Sequence, residues 1–216
     1  MRSTDLHIAL PAFNEAKVLR SVLTDLRSHG FENIIVVNDG SGDKTGQLAE
    51  EMGADVITHI RNRGAGAASQ TSISFAREKG INYLLLMDAD GQHHSEDAHN
   101  LYQEILKGEY DIIIGNRFIL EKNEIPRIRI FFNSLANRLT NLFCKNNYSD
   151  SQSGFRILNR KAIETLDLKV DGYGFCSEMI IVGEKSGLRI GEVPIKVEYT
   201  EYSLGKGQSF ANGVNT

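Results

Sequence analysis

The sequence has none of the short motifs that usually betray a catalytic apparatus. There is no His-Glu-x-x-His or Cys-x-x-Cys, which removes the common zinc arrangements, and no Gly-x-Ser-x-Gly, which removes the usual hydrolase nucleophile. No Gly-Lys-Ser/Thr follows a glycine-rich loop, and Gly64-Ala65-Gly66-Ala67-Ala68 lacks the dinucleotide-binding fingerprint. Cysteine is scarce: Cys144 and Cys176 stand far apart without metal spacing, so free thiols in a reducing compartment are expected. A formal net charge of -4 gives no general attraction to nucleic acid or anionic lipid. No stretch reaches the roughly eighteen apolar residues that cross a bilayer. Met1 to Leu10 contains Asp5 and His7 and enters a strand directly, so no signal peptide is expected and the location is read as cytoplasmic.

What is present is a repeated unit. With 216 residues and 41% hydrophobic content the chain can bury a substantial core as one domain, with residues 200–216 as a polar, mobile tail. Leu6 to Leu10 reads as a strand stopped by Pro11, followed by a helix with Val18, Leu19, Val22, Leu23 and Leu26 at helical spacing and a stop at Gly30. Asn33 to Val37 is a β-branched strand ending in the polar turn Asn38 to Thr45. Ala54 to Thr58 and Tyr83 to Met87 repeat the pattern, each followed by a loop and a helix, and Tyr110 to Gly115 is a further strand ending at Asn116-Arg117-Phe118. Four such turns predict an α/β class, with an open, mostly parallel, Rossmann-like sheet flanked by helices.

In a parallel sheet, ligands bind at the carboxyl ends of the strands. Here those ends carry acids: Glu15, Asp39, Asp88 and Asp90. The apolar run Tyr83 to Met87 delivers Asp88-Ala89-Asp90-Gly91-Gln92, where Asp90 and Gln92 can turn oxygens toward one volume, a hard donor set suited to Mg²⁺ or Mn²⁺. Asp88 can accept from a ribose or assist the ion. Such acids would repel a bare phosphate, but they can hold the ribose and base edge of a nucleotide and the cation that neutralises its diphosphate. Arg117, Arg127, Arg129 and Arg156 would supply positive charge.

Duller roles stand beside these. Glu15 can cap a helix, Asp39 and Asp43 can be turn residues, Arg117 and Arg156 can be ion-pair partners, and Gly64 can serve helix packing. His93 and His94 are adjacent and so diverge, which argues against a shared metal. In the second half, Ile128 to Leu142 is apolar at helical spacing, fitting a helix packed along the sheet or on a membrane-facing groove. Asn146 to Arg156 reads as a long polar loop. Leu188 to Val197 reads as a strand broken by Gly191 and Pro194, suited to an edge.

Pro11-Ala12-Phe13-Asn14-Glu15, Asn38-Asp39-Gly40-Ser41-Gly42-Asp43, Asn62-Arg63-Gly64-Ala65-Gly66, Asp88-Ala89-Asp90-Gly91-Gln92 and Ser153-Gly154-Phe155-Arg156 together resemble the signature stretches of family 2 inverting glycosyltransferases with the A-type glycosyltransferase fold. Gly172-Tyr173-Gly174-Phe175, Val193-Pro194-Ile195 and Lys206-Gly207-Gln208-Ser209-Phe210 extend the similarity, which is greatest to the dolichyl- or polyprenyl-phosphate mannosyl- and glucosyltransferase group. The resemblance implies a single catalytic domain over residues 1–199, with a nucleotide-binding half to about residue 118 and an acceptor-binding half after it. It places Pro11, Phe13, Glu15, Asp39 and Asp88 around the nucleotide and Asp90 and Gln92 on the ion. Asp90, Arg117 and Arg129 would carry catalysis. Arg127, Arg129, Ser153, Arg156, Glu178 and Ser203 would face the acceptor and its phosphate, and Lys206 would close over the diphosphate with the tail. The substrates implied are a nucleoside-diphosphate sugar of GDP-mannose or UDP-glucose type and a polyprenyl phosphate, at the cytoplasmic face of a membrane or a membrane-embedded partner. Phe13 where tyrosine is common and Asn38 where an acid is common leave the base undefined. A hydroxyl acceptor, which would need a carboxylate base, and a non-catalytic nucleotide-sugar-binding protein are the alternatives.

Overall fold

The computed structural model describes residues 5–120, 125 and 127–198, apart from the side chains of Arg127 and Arg129. Along the first part run β1 (Leu6–Ala12), α1 (Leu19–Ser28), β2 (Ile34–Asn38), α2 (Thr45–Glu51), β3 (Asp55–Thr58), α3 (Ala65–Lys79), β4 (Tyr83–Leu86), α4 (Ser95–Leu106) and β5 (Ile112–Asn116). They are followed by α5 (Arg127–Asn141), β6 (Arg156–Asn159), α6 (Arg160–Thr165), α7 (Phe175–Lys185) and β7 (Ile190–Pro194) in the second. The strands form one sheet in the order β3-β2-β1-β4-β6-β5-β7. Every neighbouring pair is parallel except those of β6, which runs antiparallel to both β4 and β5.

The apolar pattern explains the layers. Side chains on a strand alternate between faces. Ile8, Leu10, Leu85 and Ile113 pack against α1 and α4, whereas Ala9, Leu84, Leu86, Ile112 and Ile114 pack against α3, α6 and α7. Full burial of a side chain of this size is worth about 1.5–3 kcal/mol, so a sheet covered on both faces is strongly favoured. Gly30 and Gly80 end α1 and α3 in the left-handed region, at φ of +83° and +71°.

Three local outcomes differ from, or refine, the sequence pattern. Pro11 does not stop β1, which continues to Ala12 in register with Asn38; the ladder to β4 ends at Ala9, and a missing N–H is tolerated beside an unpaired flank. Arg156–Asn159, which the pattern leaves without a strand, is a central one, its Ile157 and Leu158 fully buried between β4 and β5. β7 is the edge strand that Gly191 and Pro194 suggest.

The reversed strand matters for the site. Because β6 runs against its neighbours, its amino-terminal end meets the carboxyl ends of β4 and β5, with Leu86 and Ile114 both opposite Arg156. The loop from Asn146 to Phe155 is thereby delivered to the rim where the strand-end acids gather. α5 packs on α7. Its outward side leaves Ile128, Phe131, Leu135, Leu139 and Leu142 exposed, and no helix among the described residues is long and apolar enough to cross a membrane.

Candidate active site

The β1 and β2 loops hold each other through side chains. Asn14, in the left-handed region at φ 55°, donates its N–H to Ser41 Oγ at 3.0 Å and accepts from the Gly42 N–H at 2.9 Å. The Glu15 N–H donates to Thr45 Oγ1 at 2.8 Å and the Ala16 N–H to Asp43 at 3.2 Å. This knot leaves the Phe13 ring exposed at the rim and Glu15 buried beneath it. Pro11 lies in β1, two residues before that ring.

At the β4 end, Asp90 accepts from the Gln92 N–H at 3.0 Å and from the Gln92 side-chain amide. Asp88 lies on the same turn. Half of its side-chain surface is exposed, although protein surrounds the carboxyl closely. Burial first, then the negative charges of Asp90 and Glu15, against opposition from Arg117 and Arg156, push its carboxyl up to about 7. The β-carbon of any side chain at position 154 would come within 2.9 Å of the Asp88 carboxylate, so Gly154 is what makes room for it. Behind Asp88, His93 is stacked on Phe155 with ring centroids 4.7 Å apart, its Nε2 3.9 Å from Asp88 Oδ2. Burial first, then Arg117, holds this imidazole well below its usual range, so it is neutral. The chain returns to this turn near its described end, where the Glu198 N–H donates to the Gln92 carbonyl at 3.1 Å.

Asp88 feels the negative charge of both Asp90 and Glu15, a repulsion that a nearby cation would relieve, and carboxylate and amide oxygens are the donors a hard divalent ion takes. The residues therefore fit Mg²⁺ or Mn²⁺. Among the described residues no three His, Cys, Asp or Glu side chains form a closed metal cage.

Several residues named from the sequence do other work. Asp39, read as a base or ribose ligand, is 2% exposed. Its oxygens accept from His59 Nδ1 at 2.6 Å and from the N–H groups of Arg63 and Gly64 at 3.0 and 2.8 Å, so it folds the β3–α3 turn instead. The start of α3 lies hard against the 170–172 segment: a β-carbon at position 66 would meet the Val170 carbonyl oxygen at 2.2 Å. Arg156, read as a phosphate ligand, is wholly buried and donates to the carbonyls of Ser151, Ser153 and Cys176 at 2.7, 2.8 and 2.7 Å. Ser153, read as facing the acceptor, is equally buried. Glu178 accepts from the N–H groups of Lys169 and Val170 at 2.8 and 2.9 Å, holding the segment on which α3 packs. Asp39, Arg156 and Glu178 all spend their polar groups on the protein's own backbone.

Arg117 remains at the rim, its charge felt by both Asp88 and His93. It is gripped by Asp150, to which its backbone N–H, Nε and Nη2 donate at 2.9, 2.8 and 2.7 Å. Asp150 and its support Glu192 are absent from the sequence-based set. The signal available was one acid and one base in the same polar loop, and proximity in sequence suggests the wrong pair, since Asp150 joins Arg117 and not Arg156. Arg127 and Arg129 stand in the first turn of α5. Ser203 and Lys206, with the expected mobile tail 200–216, lie outside the described residues.

A seven-stranded sheet of this order, with acids and an amide at the β4 rim, defines the A-type glycosyltransferase class of α/β folds. The model of the glycosyl transferase family 2 matches residues 7–167, and the chain belongs to that family. It is 40% identical over 214 residues to an uncharacterized protein of Methanocaldococcus jannaschii, covering 97% of this chain and 88% of that one. It is 32% identical over 229 residues to the UDP-N-acetylglucosamine–dolichyl-phosphate N-acetylglucosaminyltransferase of Methanococcus voltae, covering 96% and 91%. Among solved structures, glucosyl-3-phosphoglycerate synthase from Mycobacterium tuberculosis, in complex with Mn²⁺, UDP-glucose and phosphoglyceric acid, superimposes with a TM-score of 0.73. The two are 21% identical, with 99% of this chain and 78% of that one covered. The protein is a glycosyltransferase.

Proposed function

We propose that the protein moves a sugar from a nucleoside-diphosphate sugar to a polyprenyl phosphate, with inversion at the anomeric carbon and a divalent cation in attendance. The observation that carries this is the β4 end, where Asp88 stands beside Asp90, itself bonded to Gln92, and in the field of Glu15 and of Arg117, which Asp150 clamps. Asp90 and Gln92 would hold Mg²⁺ or Mn²⁺, which when bound supplies charge neutralisation to the leaving diphosphate. Phe13, Pro11 and Glu15 would line the nucleotide. Arg117 would face the phosphates, joined by Arg127 and Arg129 from α5.

A phosphate acceptor suits what the rim offers. Its oxygen is already ionised near neutral pH, so no strong base is required and in-line placement is the main demand. Asp150, the carboxylate against Arg117, is fully buried in its ion pair and is no candidate base for a hydroxyl acceptor. The dolichyl-phosphate transferase of Methanococcus voltae, similar over nearly the whole chain, supports the same reading.

The exposed face of α5 fits a peripheral position on a membrane carrying the lipid acceptor. Asn137 on this helix bonds the Ser149 carbonyl and Ser151, next to the Arg117 clamp, so the helix joins the rim on one side and presents Ile128, Phe131, Leu135 and Leu139 on the other.

The deciding experiment is a donor screen with Mg²⁺ and Mn²⁺ in which polyprenyl phosphate competes with simple sugars as acceptor. Transfer to the lipid phosphate, lost on chelation, is expected. Transfer to sugar hydroxyls alone would overturn the acceptor assignment, and metal-independent transfer would overturn the role of Asp90 and Gln92.

A further inference from the structure

Arg117 is held by a chain of carboxylates that reaches the far edge of the sheet. Glu192 lies on β7 opposite Ile114, three residues before Arg117 on the neighbouring strand. Its carboxylate accepts from the Ser149 N–H at 3.0 Å, the Ser149 Oγ at 3.0 Å and the Asp150 N–H at 2.8 Å. Ser149 Oγ in turn accepts from Asn116 Nδ2 at 2.6 Å, and Asn116 Oδ1 accepts from the Phe118 N–H at 2.8 Å, so the residues on both sides of Arg117 are fixed by the same cluster. The turn so folded presents Asp150 to Arg117 in a two-pronged ion pair, with the aspartate side chain wholly buried and the arginine 15% exposed.

Such an arrangement is not needed merely to neutralise Arg117. A surface glutamate would do that, whereas here one buried carboxylate sets the plane of the guanidinium and a second fixes the turn bearing the first. Arginine is useful against phosphate because its donors are fixed in a fork, and a fork aimed wrongly loses that advantage.

We propose that Glu192 is a positioning residue, acting through Ser149 and Asp150 to aim the Arg117 guanidinium at the phosphates of the bound donor. The proposal rests on the functional reading above in taking a nucleoside diphosphate as the ligand at that rim. Glu192 touches no substrate. Its influence passes through two turn residues and one ion pair.

The test is a double-mutant cycle on the intact protein, using UDP and GDP, each with Mn²⁺, as calorimetric probes. Glu192→Ala should weaken binding of the preferred diphosphate about tenfold in the wild-type background, and by less than about twofold once Arg117→Ala is present, because coupled residues are non-additive. The Arg117 side-chain Nε–H resonance should shift in Glu192→Ala, with the fold intact by circular dichroism. Ser149→Ala, which removes one link without touching the edge strand, should give a smaller change of the same pattern and serves if Glu192→Ala does not fold. Effects that multiply across the two backgrounds, or unchanged binding in Glu192→Ala, would overturn the relay while leaving the functional reading standing. A wild type that binds neither diphosphate would overturn the reading and the relay with it.

Discussion

The ends of β2 and β4 look alike in sequence and are opposite in physics. Each strand finishes in an aspartate followed by a glycine-containing polar turn, and each points at the same rim. Asp39 meets backbone N–H groups and an imidazole that consume its oxygens. Asp88 meets the charges of Asp90 and Glu15, with half of its side-chain surface exposed. A buried carboxylate surrounded by donors stabilises the fold, whereas one crowded by like charge is destabilised until a cation arrives. The difference separates a residue that holds a turn from residues that would gain from a nearby cation.

The comparison can be broken most forcefully at Asp90. Asp90→Ala should lower metal-dependent turnover by about 10²- to 10³-fold, the order seen when an electrostatic group at a reacting centre is lost, with little change in thermal stability. Wild-type turnover at ordinary metal concentrations would remove Asp90 from the ion.

Asp39→Ala should behave in the reverse sense. It strands two backbone donors and His59 in the interior, and a lost buried partner costs about 1–3 kcal/mol, so the melting temperature should fall by several degrees. Nucleotide binding by the protein that remains folded should change little. A stable variant with abolished nucleotide binding would reinstate Asp39 as a ligand of the base or ribose.

A gentler probe is pH. Because the folded-state pKa of Asp88 is raised from 3.8 to about 7, the native state binds more protons than the unfolded chain between those values. The ligand-free protein should therefore lose stability as pH rises through that window. Denaturant titrations of the wild type and Asp88→Asn should show the downward slope in the first and a flatter profile in the second. Identical profiles would mean that the crowding is relieved by solvent in the cleft.

The smallest effect belongs to the face of α5. Phe131→Glu should leave the melting temperature within about 0.5 kcal/mol equivalent, as expected for an exposed side chain, while reducing flotation with phospholipid vesicles. Unaltered flotation would exclude this face as the membrane contact.

Most of the scaffold was legible because apolar period and β-branching report burial directly, as in Ile34 to Val37 and Leu84 to Leu86. The strand of Arg156–Asn159 was not, since four residues with a charged first member carry no period of their own and owe their state to two neighbouring strands. In the site, the β4 acids stood out as charge at the end of an apolar run. Asp39, Ser153, Arg156 and Glu178 have the same residue types as ligands, and their distinction lies in backbone groups that no side-chain pattern encodes. Asp150 and Glu192 were invisible for the converse reason: their partners lie 33 and 42 residues away.

The placement of β6 also has a consequence for the order of assembly. The paired residues Leu85 of β4 and Ile157 of β6 are separated by a long stretch of sequence, and β5 can join the sheet only on the far side of β6. Closing such a loop is slow compared with forming the local β1–α1–β2 contacts, so the sheet should assemble as two blocks that wait for one strand to join them. During synthesis the apolar edges of β4 and β5 would be bare until residues beyond 159 emerge, a period in which a chaperone or a lower temperature should raise the yield of soluble protein.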